Sequence, residues 1–395
     1  MTEEQILSQI EPWSGLAPRG YWTNWLGAKT SVVFNAHWIA YETIQQIMAG
    51  ERYAATRRPV FGDGEFYFEQ VNIIRSVLGA TDRYILVELG GGIGPRAVDA
   101  GLALQKLRPD IKPFLVVVEA LPTYVEWCKF HFRANGLDPA EHWIVTGFMS
   151  NESIPLPFFL QPRGFGNQVG EVFETLTRIA NDPAMASDLL QRLTSRGVIL
   201  HEDRIIDGWP RTPVDISGFE AWPLQRIMET NAVPNNIQAL AAFRRGIKWL
   251  WWRSLRQRSQ KDRTTRSAIN WLLARWLPKP SSLSLTQSAE IGFVSAVTME
   301  TILAPLSHVD LMDVDIQFSE KTVIPPTLDL LRRKVKLLSI GTHSKDIHHE
   351  LHALFRQAGW KVMFDIDAHG THSRDGMQFS NGDGVLTVQN PDAIS

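Results

Sequence analysis

Cysteine is almost absent: Cys128 stands alone among 395 residues. An internal disulfide is therefore excluded, and a reducing compartment is the expectation. Cys128 falls within a helical pattern, where packing is its ordinary role. Long uncharged apolar runs are missing too, and none reaches the roughly 18 residues a bilayer-crossing helix needs. The first residues, MTEEQILSQIEP, are acidic and lack the apolar core of a signal peptide, so the expectation is a cytoplasmic protein. Neither sign of charge dominates, with 40 Lys and Arg against 42 Asp and Glu, and apolar residues make up 44%. This is the balance of an ordinary soluble chain, long enough for one decorated domain or two small ones.

What is present begins at Tyr84, where YILVELGGGIG runs an apolar strand into Glu88-Leu89-Gly90-Gly91-Gly92-Ile93-Gly94. Glycine at alternate positions 90, 92 and 94 implies a turn needing positive φ or a ligand lying against bare backbone. Pro95 then opens a helix at a permitted first-turn position. Strand, glycine loop and helix form the pocket of a nucleotide-binding doubly wound sheet. The dinucleotide fingerprint, started at Gly90, demands glycine or alanine at position 95, which is Pro95. The pattern that fits is E-x-G-x-G-x-G, with Glu88 leading. An acid there suits a cationic ligand better than a pyrophosphate, which points to S-adenosylmethionine (SAM). The second apolar run, Phe114–Val118, ends in Glu119 and Ala120. An acid at that tip accepts from ribose hydroxyls in both cofactor classes, so Glu119 supports a nucleoside pocket without choosing between them.

Strands and helices alternate as in a parallel sheet. The expected strands are 84–89, 114–119, 143–146, 309–316, 335–340, 361–366 and 385–388, the last two forming an antiparallel pair. The expected organisation is a helical N-terminal cap (1–80), a first half of a Rossmann-like domain (81–170), a mainly helical insertion (171–290) and the second half (291–395).

The C-terminal block carries Asp315-Ile316-Gln317-Phe318-Ser319-Glu320 at one strand end and Ile340-Gly341-Thr342-His343-Ser344 at the next. These motifs resemble the FkbM-type methyltransferases, as do Arg58-Pro59-Val60-Phe61, Val87–Gly94, Val118–Pro122, Asn135–Pro139, Gly359-Trp360, Asp383-Gly384-Val385 and Asn390-Pro391. The likeness covers roughly residues 58–170 and 291–395. It implies the class I SAM methyltransferase fold and methyl transfer to a hydroxyl, often on a sugar or polyketide. It also implies a cofactor site of Glu88, Gly90, Gly92, Gly94, Glu119 and Ala120. One departure stands out: Phe318 replaces the family's glycine, which is expected to reshape or close the acceptor side. Asp315, Glu320 and His343 are the candidate catalytic residues. His343 is of a type suited to a base near neutrality, and the alternative for the trio is a divalent cation site. No metal is assigned.

Two other segments carry less. His201-Glu202-Asp203 is a contiguous triplet whose neighbours point to opposite faces of a strand. Ile324-Pro325-Pro326-Thr327 lacks the leading Asp or Asn and the trailing aromatic of amino-group methyltransferases. From Arg244 to Lys279 the chain has eleven Lys and Arg, the single acid Asp262, and tryptophans 249, 251, 252, 271 and 276. Basic, tryptophan-rich amphipathic helices over 240–279 suit a peripheral place on an anionic inner-membrane surface. Nucleic acid is a weaker reading, and packing against the core or a second subunit the ordinary one. The reading that results is a SAM-dependent O-methyltransferase acting on a small-molecule or glycan acceptor. Its rivals are a degenerate SAM-fold module kept for membrane or partner binding, and an NAD-dependent oxidoreductase.

Overall fold

Apolar runs with no polar face are the pattern of strands covered on both sides, and the central sheet is built from such runs. The computed structural model describes residues 1–34, 41–151, 156–160, 216–224, 226, 290–294 and 296–394. In chain order its principal elements are α1 (Glu65–Leu78), β1 (Arg83–Leu89), α2 (Pro95–Leu107), β2 (Lys112–Glu119), α3 (Pro122–Ala134) and β3 (Trp143–Thr146). They continue with β4 (Val309–Val314), α4 (Leu328–Lys334), β5 (Val335–Thr342), α5 (Lys345–Gln357), β6 (Lys361–Ile366) and β7 (Gly384–Gln389). The seven strands form one sheet in the order β6-β7-β5-β4-β1-β2-β3. All neighbours are parallel except that β7 runs against both β5 and β6. The expected antiparallel pair is therefore present, with its second member inserted between β5 and β6.

Alternation along β1 sends its side chains into two cores. Tyr84 and Leu86 join a cluster with Phe68, Val71 and Ile74 of α1 and Val98 and Leu104 of α2. Ile85, Val87 and Leu89 join the opposite cluster with Leu331 of α4 and Ile347, Leu351 and Phe355 of α5. The result is an α/β sandwich with helices on both faces. Its chain order reverses between β1 and β4, and the crevice outside the carboxyl ends of those strands is where ligands bind in such sheets.

The N-terminal eighty residues differ from the helical cap expected of them. Beside the helices Glu3–Leu7, Tyr41–Ala49 and α1, they hold two antiparallel ribbons, Ser14–Ala17 with Arg52–Ala55 and Tyr21–Thr23 with Lys29–Ser31. The aromatic residues there favour strands as readily as helices. Gly20 and Gly27, at φ +82° and +89°, place turns where a helix would have continued. The third helix, α1, packs against the sheet rather than capping it.

Two compact units divide the chain. The first holds the sheet and includes 212–231, a stretch within the expected insertion. There Phe219 and Ile216 are buried with Phe34, Ile44, Ile47 and Trp127. The second comprises Pro155–Arg211 and Ala232–Val294; its described part is the antiparallel pair Leu156–Leu160 with Glu290–Val294. His201–Asp203 and the basic segment 240–279 lie outside the described residues. Among the described residues no helix is long and apolar enough to cross a membrane.

Candidate active site

The glycine loop is held from three directions. Gly90 and Gly91 donate their N–H groups to the Val118 carbonyl at 2.9 and 3.1 Å, tying the loop to β2. Gly90, at φ +75°, lies against β4: an added Cβ would sit 1.8 Å from the Asp315 carbonyl oxygen. Gly94, at φ +71°, packs so closely on α3 that a Cβ would meet Cys128 Sγ at 2.8 Å. This packing is the task of the buried Cys128, whose thiol burial pushes up away from reactivity. Gly92 is different. Its φ is +55°, yet among the described residues, its chain neighbours apart, no atom lies within 4 Å of where its Cβ would be, so they leave open space at the loop's middle glycine.

The two strand-end acids serve this loop. Glu88 is 1% exposed and accepts from the N–H groups of Arg96 (3.3 Å) and Ala97 (2.9 Å). Its carboxylate thus caps the first turn of α2, where the helix dipole favours a negative charge. Burial nonetheless raises its pKa to about 8, against the opposing charge of Arg96. Glu119 accepts from Gly92 N–H at 2.8 Å and Leu121 N–H at 2.7 Å, and burial lifts it to about 7 against these bonds and that of the Ala120 N–H. Glu119 and Ala120 therefore sit beside the open space at Gly92. Glu88 faces the helix, Glu119 the loop, and each oxygen of either acid is engaged by a backbone N–H.

At the ends of β4 and β5 the three expected catalytic residues form a chain. His343 Nε2 lies 3.2 Å from Asp315 Oδ1, and His343 Nδ1 lies 2.8 Å from Glu320 Oε1. His343 is 4% exposed and Glu320 fully buried. Glu320 Oε2 has no partner among the described residues, so this buried carboxylate relies on the imidazole alone. Burial works against a charge on His343, but the two carboxylates outweigh it and raise its pKa to about 11. An imidazolium that donates from both nitrogens has no lone pair to accept a proton. The expectation that His343 serves as a base near neutrality fails for this reason. Asp315 keeps about a third of its side chain exposed. Burial would raise its pKa, but the His343 hydrogen bond and charge hold it below the usual carboxylate range. Gln317 Nε2 also donates to Asp315 Oδ1, at 3.3 Å.

Phe318, in place of the glycine, adopts φ +68°, following Gln317 at φ +47°. Its half-buried ring lies 5.4 Å from the His343 ring, tilted by 42°. The position thus has the backbone a glycine would take easily, with a phenyl group on it.

A ring of charge that none of the motifs announced surrounds these groups. Arg96 pairs with Glu69 and stands 3.7 Å from Asp313. Glu88 and Asp313 are cross-strand neighbours. Burial, Glu69, Asp315 and Asp383 all raise the pKa of Glu65 against the pull of Arg96. Asp383 is raised by burial and by Asp315, with His343 opposing. Two signals for this ring were legible. A cation at the second position of a helix opposes the dipole, so Arg96 implies acids nearby. Asp313, like Asp310, is a carboxylate in a strand whose six residues are all buried, and a buried acid implies a partner.

Among the described residues no three His, Cys, Asp or Glu side chains are arranged to hold a metal ion; in the trio itself both imidazole nitrogens are already committed to carboxylates. The chain matches no protein-family model, no curated protein and no solved structure.

Proposed function

We propose that the protein is a SAM-dependent O-methyltransferase of the FkbM type, with the class I methyltransferase fold. One observation carries the reading: the Asp315 carbonyl packs on the α-carbon of Gly90, so the cofactor loop and the proton-accepting carboxylate share one crevice. The sheet order supports it, because the antiparallel strand near the sheet edge is what the resemblance to these methyltransferases implies and dehydrogenases generally lack it. The residues also fit the cofactor. The space beside Gly92 admits a ligand against bare backbone, and Glu119, with a backbone N–H on each oxygen, keeps lone pairs for ribose hydroxyls.

The cofactor supplies a methyl group already activated on a sulfonium. The protein's task is to align an acceptor oxygen and remove its proton. Asp315 takes that proton: its Oδ1 is held by His343 and Gln317, and its Oδ2 makes no hydrogen bond among the described residues. His343 holds the carboxylate in place and Glu320 holds the imidazolium, so both position rather than accept. Held below the usual range, Asp315 is a weak base, and its proton transfer falls late, as the new C–O bond makes the hydroxyl acidic.

Titration calorimetry with SAM, its demethylated product and NAD tests the reading. Heat with the two sulfur nucleosides and none with NAD is expected. Silence with both sulfur nucleosides sinks it, and heat with NAD alone favours the oxidoreductase.

A further inference from the structure

The glycine loop closes as a tight turn in which Gly94 N–H donates to the Gly91 carbonyl at 2.7 Å. Of its two central residues only Gly92 has positive φ, the pattern of a type II′ turn. Turning the central peptide over would give a type I′ turn and drive β-branched Ile93 to positive φ, which such residues resist. The peptides on either side are tied down. Gly92 N–H donates to Glu119, and Gly94 N–H to Gly91. The Ile93 carbonyl, on the same rigid peptide as Gly94 N–H, meets His131 Nδ1 of α3 at 3.0 Å. The peptide between Gly92 and Ile93 is left. Among the described residues neither its carbonyl nor its N–H has a hydrogen-bond partner, and it adjoins the open space at Gly92.

The imidazole that completes this arrangement has one state open to it. His131 is 1% exposed, and burial lowers its pKa to about 4 against the bond to Ile93, so the ring is neutral. A carbonyl can only accept, which puts the ring's single proton on Nδ1. Nε2 is then an acceptor, and Thr30 Oγ1 donates to it at 3.3 Å. Both nitrogens are thus committed within the protein. Thr30 lies in the ribbon Tyr21–Thr23 with Lys29–Ser31. Asn135, at the end of α3, fastens that ribbon by accepting from Lys29 N–H at 2.7 Å and donating to the Lys29 carbonyl at 3.0 Å. The N-terminal ribbon therefore buttresses the ring that holds the loop.

We infer that His131 is a positioning residue of the cofactor site, holding the Ile93 carbonyl so that the Gly92–Ile93 peptide presents its unpaired groups to the ligand. This rests on the methyltransferase reading, which it deepens by naming what shapes the loop.

Asparagine and glutamine separate the two edges of the imidazole, because their amide nitrogens fall near Nδ1 and Nε2 respectively. His131→Asn can still donate to Ile93, whereas His131→Gln reaches toward Thr30. In titration calorimetry with SAM's demethylated product, His131→Asn should keep the parent's Kd. His131→Gln should bind about five-fold more weakly, the scale of one hydrogen bond. Nitrogen NMR of the histidine-labelled parent should show the Nδ1–H tautomer at pH 7, with Nδ1 shifting when the nucleoside binds. That readout stands even where a variant fails to fold. An Nε2–H tautomer, an Nδ1 unmoved by bound nucleoside, parent-like binding by His131→Gln, or equal losses in both variants at matched melting temperature each overturn the inference. Absence of heat from the parent with either sulfur nucleoside, the Nδ1–H tautomer being intact, overturns the cofactor reading instead, so the two failures are distinguishable.

Discussion

Gly90 and Gly92 lie two residues apart in the same loop, and alanine at each should have very different consequences. Both have positive φ, so each alanine pays a left-handed backbone penalty of roughly 1–2 kcal/mol. At Gly92 that is nearly the whole cost, because no neighbouring atom of the described residues lies within 4 Å of the added methyl. At Gly90 the methyl would fall 1.8 Å from the Asp315 carbonyl oxygen, a backbone atom that cannot rotate away. The ends of β1 and β4 must part. The bond from Asp315 N–H to the Leu89 carbonyl and that from Gly90 N–H to Val118 are then weakened, at about 1 kcal/mol each. Gly90→Ala should cost about 4 kcal/mol in urea denaturation followed by circular dichroism. Gly92→Ala should cost about 1–2 kcal/mol yet abolish the calorimetric response to SAM, because its methyl occupies ligand space. If the two variants lose stability equally, or if Gly92→Ala binds SAM like the parent, the loop does not meet β4 and the cofactor in the way described.

Three further outcomes are expected. The His343 imidazole should show no carbon-detected titration between pH 5 and 9, being held charged to about 11; Glu320→Gln should bring a titration into view, and a native midpoint near 6.5 would refute the two-carboxylate clamp. A group raised above its ordinary 6.5 contributes stability that is complete below that value and lost as pH climbs toward 11, and Glu88, raised from 4.5 to about 8, acts in the same sense, so melting temperature should fall from pH 6.5 to 8 and a rise would contradict the assignments. Gln70 joins Trp25 Nε1 at 2.8 Å to Asp99 Oδ2 at 2.8 Å in the interior; Gln70→Leu should lose about 2–4 kcal/mol by orphaning both partners, and a loss under about 1 kcal/mol would mean the network is water-accessible.

The parts of this site that were legible in the sequence are those whose physics is local. A strand covered on both faces, a run of alternate glycines and a first-turn proline each constrain the backbone within a few residues, and β1, the loop and α2 follow from them. The β4 and β5 ends carried polar motifs at the tips of apolar runs, so Asp315, Glu320 and His343 could be placed near one crevice. Their ionisation could not be read. Glu320 lies 23 residues before His343, and only the fold shows that both carboxylates meet one imidazole and convert an apparent base into a fixed cation. Glu88 is the reverse case. Its place in the motif was legible, but its carboxylate turns to the N–H groups of α2, eight and nine residues on, because a buried helix start with unsatisfied donors is the nearer demand. The N-terminal ribbons were missed because short strands in aromatic-rich sequence have no distinguishing period and are defined by partners such as Leu16 and Tyr53, far apart in the chain.

With Glu88 engaged by the helix, the choice between a sulfonium cofactor and a dinucleotide passes to the charge of the whole crevice. Glu65, Glu69, Glu88, Asp313, Asp315, Glu320 and Asp383 surround the junction of β1, β4 and β5, and among the described residues Arg96 and His343 face them, with His369 acting on Asp383. The raised values at Glu65, Glu88, Asp313 and Asp383 reflect both burial and this repulsion, since several of the acids raise one another. A pyrophosphate would add negative charge to such a site and find its helix N–H groups already taken by Glu88. A ligand bringing an ammonium and a sulfonium relieves the repulsion instead. It should also lower the proton uptake that the acids otherwise require, so SAM binding above pH 7 should release protons. Calorimetry in buffers of different ionisation enthalpy measures that release directly, and proton uptake on binding would show that the acid array does not face the cofactor.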